Sequence, residues 1–157
     1  MLKGVHRSLM PEGTLHLTLI DPMPVSSSLG PHMRTWIEKH LLLNLEKNFR
    51  CVNPSKLFPH WLAESHLRGQ GSTISTAKFW AVPPGRSGAR GTPDARSDDR
   101  SIMMELRGAV GRMLWTEAWG MYVGAQRWWW EEPECVKECL QLGTHWEYYL
   151  IEGVKEG

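Results

Sequence analysis

Few side chains in this chain can do chemistry, and each has a competing structural use. Cys135 and Cys139 stand one helical turn apart with His145 beyond them, so thiolates and an imidazole could converge on a metal. A structural zinc wants four ligands in a closed set, and the spacing places no fourth. Small apolar core thiols are the favoured reading, and no metal is assigned. His40, His60 and His66 could move protons near neutral pH. His40 falls on the apolar stripe of its helix, which favours a hydrogen-bonded core or pocket-rim imidazole. Asp21 ends an apolar strand, where open α/β sheets place ligands, so it could be a base or a polar anchor. A capping or turn-forming aspartate before Pro22 is the alternative, and the favoured one. No nucleophile has a recognisable base partner.

The nine tryptophans are the strongest compositional signal. Trp115 and Trp119 lie one helical turn apart, and Trp128, Trp129 and Trp130 are consecutive. A wall of indoles would suit a small apolar substrate, polycyclic or polyene. The same rings could instead fill the core, as stripes at helical spacing usually do. The substrate-pocket candidates are therefore Asp21, His40, Trp115, Trp119, Trp128, Trp129 and Trp130, with the catalytic residues unknown.

These residues need elements to hold them. A 157-residue chain can form a single domain with one core. Eighteen basic against 17 acidic residues leave +1, with no basic stripe, which argues against a nucleic-acid partner. No signal peptide or apolar span is evident, so no membrane association and a cytoplasmic setting are expected. Three cysteines without paired spacing point to reduced thiols.

The periodicity predicts a short helix over Leu2–Met10, stopped by Pro11 and Gly13, and then a strand over Thr14–Ile20, ended by Asp21-Pro22. A long helix starts near Pro31, with Met33, Trp36, Ile37, His40, Leu41 and Leu45 on one face. A second follows Asn53-Pro54-Ser55, with Asn53 or Ser55 as cap and Leu57, Trp61, Leu62 and Leu67 inward. Ser72–Val82 reads as a strand. Pro83–Asp99 has no large apolar side chain and is expected to be a mobile loop. Beyond it, Met103, Leu106, Val110, Met113, Leu114, Ala118 and Met121 repeat at helical spacing and predict a helix over Ser101–Val123. Gly108, Gly111 and Gly120 weaken it by roughly 1 kcal/mol each relative to alanine. Glu131-Glu132-Pro133 starts a last helix, with Val136, Cys139 and Leu140 inward and Gly143 as C-cap, and His145–Val154 is the last strand.

The segment SLMPEGTLHLTLIDPMP resembles the leucine-rich helix, glycine turn and fifth strand of class I methyltransferases that use S-adenosylmethionine. Long stretches from LGPHMRTWIEKHLLLNLEKNFRC through THWEYYLIEGVKE are similar to fungal methyltransferase-like proteins of secondary-metabolite gene clusters. The resemblance covers nearly all of the chain outside Pro83–Asp99. It implies an α/β fold, a truncated Rossmann-like methyltransferase domain of about three strands packed with helices. Thr14–Ile20, Ser72–Val82 and His145–Val154 would be strands five, six and seven, in the order five-seven-six with the last antiparallel. The glycine-rich turn after the first strand and the acidic residue after the second are not in the sequence, so no cofactor-binding residue is carried over.

Three functional readings follow. The first is a methyltransferase-family protein of fungal secondary-metabolite biosynthesis that retains the substrate-side half, with S-adenosylmethionine bound only if a partner supplies the other half. The second is a cofactor-independent cyclase or isomerase that holds an apolar intermediate in a reactive conformer. The third is a non-catalytic partner or truncated remnant of a full-length methyltransferase, since Met1 falls inside what the family treats as a mid-domain helix. Without a fourth strand, the Thr14–Ile20 edge is expected to pair with a second copy or another protein.

Overall fold

The computed structural model describes residues 2–84 and 95–156. Its helices are α1 (Leu2–Ser8), α2 (Pro31–Ile37), α3 (Leu43–Lys47), α4 (Pro54–Glu64), α5 (Ala95–Trp119) and α6 (Pro133–Leu142), and its strands are β1 (Thr14–Ile20), β2 (Thr73–Trp80) and β3 (His145–Val154). The fold is mixed α/β, with one three-stranded sheet in the order β1-β3-β2. β1 and β3 are antiparallel, in register from Thr14 opposite Val154 to Ile20 opposite Tyr148. The chain divides into two compact units, Met1–Asp21 with Asn53–Ala77 and Tyr148–Gly157, and Pro22–Val52 with Lys78–Glu147.

In the first unit the strand period of two separates the faces of β1. Leu15, Leu17 and Leu19 pack on the cluster of Phe58, Leu62, Leu67 and Ile151, while His16 and Thr18 face solvent. The entry turn places Glu12, not Gly13, in the left-handed region at φ 61°. Gly13 is needed for closeness instead, because a Cβ there would lie 2.8 Å from the Met10 carbonyl oxygen. Helix α4 stops at Glu64, short of Leu67. His66 turns left-handed at φ 53°, and the Leu67 N–H then donates back to the Leu62 carbonyl at 3.0 Å. Leu67 is thus buried from beyond the helix rather than from within it. Neither Asn53 nor Ser55 caps α4 with its side chain, as the sequence suggested, and the acceptor comes from Asp21.

In the second unit the helix expected from Pro31 is interrupted by a π-helical segment, Glu38–Leu42, between α2 and α3. Met33, Trp36, Ile37, Leu41 and Leu45 are all buried, so the apolar stripe survives the change of period. Helix α2 begins at Gly30-Pro31 with no cap of its own. Its first N–H groups are satisfied by the buried Glu138 carboxylate, which accepts from His32 at 3.0 Å and Met33 at 2.9 Å. Gly30 leaves room for this, since a Cβ there would fall 2.1 Å from Glu138 Cδ. The inner face of α6 is therefore Cys135, Glu138 and Cys139, and Leu140 is exposed, contrary to the expected face.

Helix α5 differs most from expectation. Residues 95–99, expected in a loop, form its start, and residues 85–94 of that expected loop lie outside the described residues. Met103, Leu106, Val110 and Met113 are exposed, not buried. The buried side is Gly108, Gly111 and Trp115. A Cβ on Gly111 would sit 2.1 Å from Phe79 Cγ, and one on Gly108 would sit 3.0 Å from Pro83 Cγ. The glycines that weaken the helix by propensity are what let it approach the β2 end of this unit.

Candidate functional site

Asp21 and the histidines resolve into structural roles. The Asp21 carboxylate accepts from the Ser55 N–H at 2.9 Å and from the Ser55 hydroxyl, tying the first turn of α4 to the end of β1. Acceptors at a helix N-terminus satisfy free N–H groups and suit the positive end of the dipole. His40 is half-buried in the π segment, its ring 5.4 Å from that of Trp36. Its carbonyl accepts the Gly124 N–H at 2.8 Å and the Asn44 side-chain amide at 3.3 Å. His60 and His66 are exposed beside Glu64 and Glu156, at 3.4 Å and 3.0 Å.

The cysteines do not form a ligand set. Among the described residues, no group of three or more His, Cys, Asp or Glu side chains could hold a metal. Burial, reinforced by Glu138, Glu132 and Glu134, pushes the Cys135 thiol up to about 11. Burial likewise raises Cys139 to about 11, against a hydrogen bond from Thr144. Both are held as neutral thiols at physiological pH.

The tryptophans divide into core and surface. Trp115, Trp129 and Trp146 are each 1% exposed. Trp146 stacks on Phe79 at 5.6 Å and meets Trp115 edge-on at 6.0 Å and Trp129 at 5.5 Å. The Trp115 and Trp146 indoles both donate to the Pro22 carbonyl, at 3.0 Å and 3.3 Å. Trp115 and Trp129 are thus core rings, not pocket walls. Trp119 is half-buried, and its indole N–H has no acceptor among the described residues.

Trp128 and Trp130, by contrast, remain half-exposed and stack at 4.8 Å and 5°. Trp130 lines a groove of about 660 Å³ together with Pro83, Glu105, Ala109, Arg112, Met113, Thr116 and Glu117. The Arg112 guanidinium lies 5.3 Å from the Trp130 ring centre and 5.8 Å from that of Trp129, within cation–π range. Burial lowers its pKa from the ordinary arginine value. No carboxylate among the described residues pairs with it, and its Nε is buried without an acceptor. Arg112 is the one cationic side chain lining this groove among the described residues, and the sequence reading did not single it out. The signal was present in the spacing of Gly108, Gly111 and Trp115, which turns Arg112 toward the indole run once the glycines, not the methionines, are taken as the inner face.

A second groove, of about 410 Å³, lies in the other unit between α1, β1 and α4, lined by Leu2, Leu17, Leu19, Phe58 and Trp61. It is mainly apolar, with Lys3, Glu64 and Ser65 also lining it, and it lies against the edge strand of the sheet. No family model matches the chain, and comparison with curated proteins and with solved structures gives no match either.

Proposed function

We propose that this chain is a methyltransferase-family protein of fungal secondary-metabolite biosynthesis that carries the substrate-side half of the fold and takes S-adenosylmethionine only with a second polypeptide. The observation that carries this reading is the sheet. β3, last in the chain, lies between β1 and β2 and runs antiparallel to β1, the arrangement that the resemblance implies for strands five, seven and six. β1 is then an edge strand with half-buried leucines and a 410 Å³ apolar groove beside it, suited to the strand and helix that precede the fifth strand in the family. The partner is a cofactor-binding half bearing a glycine-rich strand–turn–helix. The groove at Trp130 and Arg112 is the substrate side.

Calorimetry tests this. S-adenosylhomocysteine added to the chain alone is expected to give no binding heat. Expressed behind or beside the first four strands of a complete class I enzyme, the chain is expected to form a soluble complex that binds the ligand. Binding by the chain alone, or a cofactor half that never associates with it, counts against the proposal.

A further inference from the structure

We infer that the Trp130–Arg112 groove binds a planar carboxylate, an aromatic or conjugated acid whose anionic end meets the Arg112 guanidinium. Arg112 is cationic, partly desolvated and without a counter-ion among the described residues. A charge removed from water without a partner is costly, so the position favours an anion that arrives with the ligand. The guanidinium fork matches a carboxylate bidentately, and its planar π surface accepts a conjugated body beside it. Trp130 already has Trp128 stacked on it and Arg112 over its ring, which orders the arginine for that role. Pro83, Ala109 and Met113 supply apolar lining, and 660 Å³ accommodates a two- or three-ring ligand.

Glu105 and Glu117 line the same groove and oppose an anion. Along the helix they lie roughly 10 Å and 8 Å from Arg112 at 1.5 Å per residue. Both are exposed, so salt screens them over about a Debye length, whereas a carboxylate on the fork is in direct contact. Arg112 therefore decides the preference, and the glutamates only temper it.

The inference rests on this groove being the substrate side, yet it is read without cofactor or turnover. The probe is 2-naphthoate, compared by calorimetry with its neutral analogue 2-naphthamide. The acid is expected to bind at least 10-fold more tightly than the amide. Arg112→Lys, which keeps the charge and loses the fork, should reduce that preference several-fold, and Arg112→Gln should remove it. Glu117→Gln should tighten naphthoate by up to about threefold and leave the amide unchanged. Equal affinity for acid and amide, no heat from either, or an acid preference that survives Arg112→Gln overturns the inference. Should Arg112→Gln fail to fold, the acid–amide ratio and the Glu117→Gln arm still decide it. Failure here leaves the S-adenosylhomocysteine result intact, and failure there leaves this one intact, so the two are separable.

Discussion

Buried polar residues, rather than the tryptophans that dominate the composition, set the local structure. Glu138 serves two backbone donors of α2 from a distant helix, and Gly30 is what lets it in. Glu138→Ala leaves both N–H groups without an acceptor and should lower stability by about 2–4 kcal/mol. Glu138→Gln keeps one acceptor oxygen and should cost about 1 kcal/mol, a ranking that urea midpoints will read. The thiols give a second test. Cys135 and Cys139 are raised to about 11 in the folded protein. A raised pKa means that stability from the neutral thiols is full below the unfolded value near 9 and is lost as pH climbs towards 11. At pH 8 a thiol reagent should therefore label only the partly exposed Cys51 quickly, with Cys135 and Cys139 following on denaturation. Fast labelling of all three would show the burial to be wrong.

Elements were legible where their period was unambiguous. β1 and β3 fall on the residues that alternation and β-branching indicated, and α6 ends at Gly143 in the left-handed conformation. Sequence went astray where apolar residues face solvent. The α5 stripe of Met103, Leu106, Val110 and Met113 has helical spacing, but periodicity only reports that a helix has two faces, not which one is buried. Gly111 decided it by admitting Phe79 at a distance no larger residue allows, with Gly108 in tight contact with Pro83. The π segment was equally hidden: no residue pattern marks it, and the His40 carbonyl within it accepts from the distant Gly124 N–H as well as from Asn44 four residues on. Two substitutions separate the faces of α5. Leu106→Gln should change stability by less than about 0.5 kcal/mol. Gly111→Ala should destabilise by about 1–3 kcal/mol through overpacking against Phe79, despite alanine's better helix propensity. Shrinking the ring with Phe79→Leu should recover part of that loss, and a stabilising Gly111→Ala would return the glycines to the solvent side.

For the molecule as a whole, the unmet group is the free side of β1. The central strand of the sheet is the chain's last strand, so β1 pairs with β3 on one side, and among the described residues no strand pairs with it on the other. Its leucine face packs on the cluster that includes Phe58 and Leu62 of α4. Thr14-Leu15-His16-Leu17-Thr18 also reads the same in both directions, so an antiparallel copy would oppose like side chains with Leu15 against Leu17. In the absence of a cofactor half, the purified chain should therefore self-associate through β1, with a light-scattering mass approaching twice 18.0 kDa as concentration rises. His16→Lys with Thr18→Lys, both at exposed positions on the face away from the core, would set the two position-16 charges directly opposite one another across such a pair and add a second cation on the same face of each strand. That double variant should remain monomeric while keeping the wild-type thermal midpoint, because neither side chain contributes to the leucine face. Added cofactor half should compete with self-association, since both need the same edge. A wild-type chain that stays monomeric at micromolar concentration, or a dimer unaffected by the lysines, would place the contact elsewhere and remove the support that the open edge lends to a two-chain enzyme.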